Sequence, residues 1–303
     1  MSDLAAITSD RFLKRISNRT AAQTHHFLGE HELAFKSARE VLAAAACAMP
    51  WVYFPSPVDA RVSMQIVMAR VLWLQGRTGE ALARVHECLE FASTDTPQSH
   101  CQALAQAAVP VALWCGDTGL ARQWNEGLRE LVTTYGFNYW RPWWQAFERV
   151  IAHRSGDESP PGDLEAMALN CATKLRDLLP TFEIRCLNSE ALARARNGQA
   201  GWCMAEILRA QAERYRQSHE AHDGADGMRE AEALLQRALQ KAHEHGALAW
   251  ELRAALSLCS LWQSRGERQI AHALLLEVRK RFTDELRTSD LVRADAMLEE
   301  LSA

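Results

Sequence analysis

Glycines at 76, 116, 156 and 198 stand 40, 40 and 42 residues apart, and each closes one apolar-periodic run just before another begins. The clearest instance is Val71-Leu72-Trp73-Leu74-Gln75-Gly76-Arg77-Thr78-Gly79-Glu80-Ala81-Leu82, which reads as the end of one amphipathic helix, a turn, and a second helix folding back. A glycine lacks Cβ and takes the left-handed conformation that ends a helix at little cost. One helical hairpin per period near 40 residues is the pattern of an α-solenoid. The expected fold is therefore all-α: a single domain over 1–303 of antiparallel helical hairpins, wound as a right-handed superhelix.

Read along the chain, the pattern predicts helices over 20–28, 32–49, 58–75, 78–92, 97–115, 118–135, 140–154, 163–179, 182–197, 202–216, 227–245, 248–264, 267–282 and 289–301, roughly fourteen in all. Before Asn18 the chain is polar enough to fray. Pro50, Pro55 and Pro57 interrupt it around the apolar loop Trp51-Val52-Tyr53-Phe54, which must pack on something. Gly156 to Gly162 and Arg216 to Asp226 read as loops. An irregular joint is expected at 198–202, because Gly201-Trp202-Cys203-Met204 looks like the first helix of a new hairpin instead of a return helix. The apolar strip on 182–197 then has to be covered by 202–216 or by another subunit.

Composition narrows the function. A formal charge of −4 with 24% charged residues gives no global field toward nucleic acid or an anionic membrane. No apolar run reaches the length of a membrane span, and Met1-Ser2-Asp3-Leu4 lacks the basic and apolar blocks of a secretory signal, so a cytoplasmic protein is expected. The eight cysteines are spread singly without a Cys-x-x-Cys pair and read as reduced core residues. His25, His26 and His31, with the looser pairs His219/His222 and His243/His245, show no zinc-binding spacing and read as solvated. The clusters Arg209/Arg214/Arg216 and Arg279/Lys280/Arg281 have acidic neighbours and read as solvated helix faces. No nucleophile elbow, His-Glu-x-x-His or dinucleotide fingerprint is present, so neither enzyme activity nor a cofactor or metal is expected.

Gly76-x-x-x-Glu80-Ala81-Leu82 is similar to the tetratricopeptide pattern. Gly246-Ala247-Leu248-Ala249-Trp250-Glu251-Leu252-Arg253, Leu261-Trp262-Gln263-Ser264-Arg265-Gly266, Arg281-Phe282-Thr283 and Asp290-Leu291 resemble the C-terminal tetratricopeptide-like tail of large bacterial regulators. Those proteins place a winged-helix or nucleotide-cyclase domain first and an AAA-like ATPase next. Val71-Leu72-Trp73-Leu74-Gln75-Gly76 and Ala112-Leu113-Trp114-Cys115-Gly116-Asp117 resemble earlier repeats of the same tail, so the likeness covers about residues 25–302. The phosphate-cradling Gly-x-x-x-x-Gly-Lys-Ser/Thr is absent from the sequence. The resemblance implies a regulatory module in transcription or signalling that works with its repeats.

Two groups are candidate partner-binding residues. Tyr139, Trp140, Arg141, Trp143 and Trp144 form the densest aromatic group, and with Pro142 in a first helical turn they fall on adjacent faces. They either line a concave groove, suited to a peptide side chain or planar ligand, or pack between repeats. Trp250 and Arg253 form a second candidate, with Arg253 alternatively pairing with Glu251, Glu285 or Asp290 to hold the last repeats together. The first expectation is a protein or peptide partner, with no direct nucleic acid or membrane contact and room for a homo-oligomer. The alternative is a small-molecule sensor whose aromatic group closes over a ligand.

Overall fold

A computed structural model describes residues 11–44, 59–156, 161–219, 225–283 and 286–302. They form α1 (Arg11–Leu28), α2 (His31–Ala44), α3 (Ala60–Leu74), α4 (Thr78–Asp95), α5 (Pro97–Ala103), α6 (Val109–Cys115), α7 (Thr118–Tyr135) and α8 (Arg141–Arg154). Then follow α9 (Pro161–Leu169), α10 (Thr173–Leu178), α11 (Ser189–Arg196), α12 (Met204–His219), α13 (Ala225–Glu244), α14 (Leu248–Ser264), α15 (Arg268–Lys280) and α16 (Ser289–Ser302). The described residues contain no strand, and successive helices pack as neighbouring pairs. Among them no helix is long and apolar enough to cross a membrane. The Trp51–Phe54 loop and the end of the helix expected to reach residue 49 lie outside the described residues.

The described residues hold sixteen helices where about fourteen are expected, because two of the expected ones are broken. Between α5 and α6 the chain passes through a π-turn, Leu104–Ala108. Pro110 lacks the N–H that would bond to the Gln106 carbonyl, and its ring crowds the preceding turn, so the ladder widens there. The run 163–179 breaks at Asn170, whose side chain donates to the Ala166 carbonyl at 2.9 Å and competes with the helical ladder. The helix expected over 182–197 starts only at Ser189, where Asn188 accepts from the Ala191 N–H at 3.0 Å. Two short 3-10 turns, Leu179–Thr181 and Ile184–Cys186, replace its beginning. At the other end of the chain α1 starts at Arg11 instead of fraying, with Asn18 bonded to Glu40 of α2 at 2.9 Å. After α11 the chain turns and makes a 3-10 turn, Gly201–Cys203, before α12, which packs against α11 of the same chain.

Helices divide into inner and outer sets. Of α3's 15 residues 12 are buried, and of α14's 17 also 12, whereas α4 buries five of 18 as a narrow stripe, Thr78, Ala81, Val85, Cys88 and Ala92. A helix buried nearly all round is an interior helix. The inner ones meet across the molecule: α3 touches α14, and α1 touches the turn at Gly201–Cys203. Two turn glycines sit at this closure. A Cβ on Gly76 (φ 80°) would stand 2.9 Å from the Phe282 ring, and one on Gly116 (φ 84°) would collide with Ser289. The residues that end the early hairpins are thus the surface on which the last helices dock.

Candidate functional site: an arginine-walled cavity beside a tryptophan cluster

Four buried tryptophans meet where the inner helices converge. Trp73 ends α3, Trp114 lies near the end of α6, Trp202 is in the joint turn and Trp250 opens α14. Trp73 stacks on Trp114 at 4.8 Å and meets Trp250 edge-on at 4.7 Å, while Trp114 lies 5.8 Å from Trp250 and 6.0 Å from Trp202. Such offset and edge-on pairs add to the area they bury. Their polar edges are used as ties: the Trp114 indole donates to Thr181 Oγ1 at 2.9 Å and Trp250 to the Trp202 carbonyl at 3.0 Å.

Arg253, one helical turn after Trp250, lies 5.1 Å from that ring's centroid and 5.5 Å from Trp73's. Its Nε donates to Asp290 at 2.7 Å, Nη1 to the Thr181 carbonyl at 3.1 Å and to Glu206 at 3.2 Å, and Nη2 to the Trp114 carbonyl at 3.0 Å. One guanidinium therefore ties α6, the 179–181 turn, α12 and α16 to α14. Burial acts to lower its pKa, but Asp290 and Glu206 outweigh it and hold Arg253 above the ordinary value.

Beside this clamp lies a cavity of about 190 Å³ lined by Leu113, Arg154, Thr181, Phe182, Arg209, Arg253, Leu256, Ser289, Asp290 and Arg293. At roughly 30 Å³ per water it holds the volume of about six waters, below the range of drug-sized pockets. Arg154 donates to the Leu113 carbonyl at 2.5 Å and the Phe182 carbonyl at 2.7 Å, with no carboxylate bonded to it. Burial, and after it the charge of Arg253, pushes Arg154 down to about 10. Arg209 is different, because Glu206 accepts from it twice at 2.8 Å and overrides burial to raise its pKa. Arg293 has no recorded partner among the described residues. Arg154, Arg209, Arg253 and Arg293 thus line the cavity with one carboxylate, Asp290, while Glu206 and Glu183 act on these arginines from outside the lining, so the lining itself carries a positive excess.

The candidate residues of the sequence divide. Arg253 pairs with Asp290, the third of its expected partners, while Glu251 accepts from Arg281 at 2.5 Å. Trp140 and Trp143 are each only 2% exposed, packed 5.5 Å apart in the interior, and Trp144 is half-buried with its carbonyl taken by Asn125 at 3.0 Å. Only Tyr139, 56% exposed, and Arg141 stand at the surface. The 139–144 group is therefore not one exposed face. It joins the central cluster through a file of rings, Trp143 to Phe147 at 6.2 Å, Phe147 to Phe182 at 6.1 Å and Phe182 to Trp114 at 5.7 Å.

Other expectations are corrected here. Arg209 is mostly buried against Glu206 and is not part of a fully solvated face. His26 and His31 are buried, although His25 bonds Glu30 at the surface and His243 meets Glu251 at 3.1 Å from an exposed position. The cysteines of the described residues are free, and burial pushes Cys88, Cys101, Cys115, Cys186 and Cys259 up to about 12, which leaves those thiols protonated. Among the described residues no group of three His, Cys, Asp or Glu is placed to hold a metal. Arg154, Arg293 and the repeated tryptophans were the residues sequence reasoning missed. The signal for the latter was positional, since Trp73 and Trp114 precede turn glycines by three and two residues. Neither a protein-family model nor a curated protein matches this chain.

Proposed function

We propose that this chain is a non-catalytic regulatory module of tetratricopeptide-like helical repeats, a superhelix closed on itself, whose arginine-walled cavity, open to solvent at the α16 side, senses a small anionic molecule. The observation that carries the reading is the positive excess of the cavity walls, above all Arg154, held only by carbonyls, and Arg293 at the α16 end. A carboxylate or phosphate is what such guanidinium groups bind best, through paired charge-assisted hydrogen bonds. The cavity draws its walls from α6, α8, α12, α14 and α16, so an occupant would tighten the contact between the early and late helices. In that way occupancy becomes a change in the stability of the docked ends. The likeness of residues 246–291 to the tails of bacterial regulators supports a role in transcription or signalling, exerted in trans on a partner protein.

A second reading, protein or peptide recognition, is favoured by a separate feature. A groove of about 530 Å³ lined by Leu89, Leu104, Trp124, Leu131 and Tyr135, among others, opens on the α5–α7 side. Tyr135 and Tyr139 are both exposed, and Tyr135 forms its wall.

A thermal-shift screen of small carboxylates and phosphate esters on wild type and Arg293→Ala tests the first reading. Among the described residues Arg293, exposed on α16, has no hydrogen bond or ion pair, so the variant should melt as wild type without ligand. A ligand that stabilises wild type should bind it about 10–100-fold more weakly, the loss expected for one charge-assisted contact. No stabilising anion, or one that binds both proteins equally, rules the cavity out as the sensor.

A further inference from the structure

Helix α3 is apolar almost throughout, with one cation at its centre. Arg70 is 6% exposed, its Nε and Nη2 are buried without a hydrogen-bond partner, and no ion pair to it is recorded among the described residues. The guanidinium lies instead over the Trp202 ring at 4.2 Å, with Trp114 at 5.6 Å. Stacking attracts a cation, but it leaves the N–H donors unsatisfied, and a buried charge without a counter-charge is strongly unfavourable.

The surroundings add cations and donors instead of carboxylates. His26 and His31 are each 2% exposed, 5.9 Å apart by ring centroid, and none of their four ring nitrogens has a partner. The His26 ring is 5.7 Å from Trp202, whose indole N–H is likewise unpaired. Lys174, exposed on α10, holds its ammonium 5.3 Å from the Phe27 ring centroid at the edge of the group. Of the sixteen buried, unpartnered side-chain nitrogen and oxygen atoms among the described residues, seven belong to Arg70, His26, His31 and Trp202. Folded proteins leave few such atoms, so this concentration asks for a missing partner. Glu30 is engaged with His25 and Asp177 with Arg194 at 3.0 Å, while Glu32, next to His31, is exposed. Burial pushes His26, His31, Arg70 and Lys174 all toward their neutral forms, and the charge of neighbouring cations adds to it at His26, His31 and Lys174.

We propose that Arg70, His26, His31 and the Trp202 indole form a buried binding site for a small oxyanion of the phosphate or carboxylate class, with Lys174 as an additional cation. The site is distinct from the arginine-walled cavity. Its side chains come from α1, α2, α3 and the joint turn, and Lys174 from α10. An occupant therefore cements the first helical pair onto the joint. Gly29 and Gly201 mark how close that contact is, since a Cβ on Gly201 would overlap the Leu28 carbonyl.

The test is a set of thermal melts in buffer free of oxyanions, with inorganic phosphate, acetate or chloride added at matched ionic strength, for wild type, Arg70→Met, and a His26→Gln/His31→Gln double variant. At a hundredfold excess over Kd, phosphate or acetate should raise the wild-type Tm by about 4 °C more than chloride. A response to phosphate alone assigns the phosphate class, and a response to both assigns oxyanions in general. Arg70→Met should abolish the response while melting at or above wild type in oxyanion-free buffer, because it removes an uncompensated cation. The double variant should weaken the response, and Arg293→Ala should keep it, which separates this site from the cavity. The proposal is overturned by equal effects of phosphate, acetate and chloride, by a response that survives Arg70→Met, or by an Arg70→Met protein less stable than wild type without anions.

Discussion

Replacing Arg253 with methionine keeps most of the side chain's apolar bulk and removes the clamp. Asp290 loses a 2.7 Å partner, and the Trp114 and Thr181 carbonyls lose donors at 3.0 and 3.1 Å. Glu206, fully buried, keeps its double bond from Arg209 and is not stranded. Removing one member of a buried ion pair costs about 3–5 kcal/mol, and each carbonyl left dry adds about 1–3 kcal/mol. Relief of the desolvated guanidinium and repacking of the methionine offset part of this, for a net loss of about 4 kcal/mol. At about 2.1 cal/mol/K per residue, 303 residues give an unfolding entropy near 640 cal/mol/K, so Tm should fall by about 6 °C. Calorimetry measures the shift, and hydrogen exchange locates it: amides of Ser289–Ser302 should lose protection before those of α4 or α7, because Arg253 is their tie to the interior. A Tm within 1 °C of wild type, or uniform loss of protection, would refute the clamp.

Gly116→Ala should cost more than Gly156→Ala, although both glycines have a φ of 84°. The second position is open and carries only the left-handed penalty of about 1–2 kcal/mol, while the first also pushes against Ser289, so denaturant melts should rank them in that order. Trp140→Ala should lose about 3–5 kcal/mol in urea unfolding, whereas Tyr139→Ala should stay within about 0.5 kcal/mol, which tests the burial that divides the aromatic group. Acid should also unfold the protein through its buried histidines. His31 is held down to about 3 by burial, and next by His245, against 6.5 when unfolded. Its folded-state pKa is depressed, so the unfolded chain takes the proton first, and the stability present above pH 6.5 is lost as pH falls toward 3. In oxyanion-free buffer this one group should cost roughly 2 kcal/mol between pH 7.5 and pH 5, and His31→Gln should flatten that part of the curve.

The hairpins were legible because their cause is local. Periodicity, turn glycines and caps act within a few residues, and they located most helices from Thr78 onward to within a few residues. Pro110 and Asn170 were equally visible, but their effects depend on competition along the helix, so the π-turn and the break after α9 were not read. The closure of the chain was harder, because it depends on residues far apart in sequence: Gly76 against Phe282, Gly116 against Ser289, Arg253 against the Trp114 carbonyl. Its sequence trace is the composition of Ala60–Leu74 and Leu248–Ser264, whose apolar residues spread around most of the helix and mark it as interior. The aromatic group at 139–144 stands out for its density, yet Trp140 and Trp143 are buried and pack on each other and on Phe147. Arg70 shows the opposite failure, a cation in the middle of a largely apolar helix that frequency-based reading passes over and burial makes important.

The most direct test of the sensing account is an NMR titration that follows the arginine side-chain Nε–H resonances while small carboxylates and phosphate esters are added. The account predicts that at least one such anion moves the Arg154, Arg253 and Arg293 signals together, saturably, and at one common Kd. If none does, or if only surface arginines drift in proportion to ionic strength, the cavity is a structural void and the chain senses nothing through it.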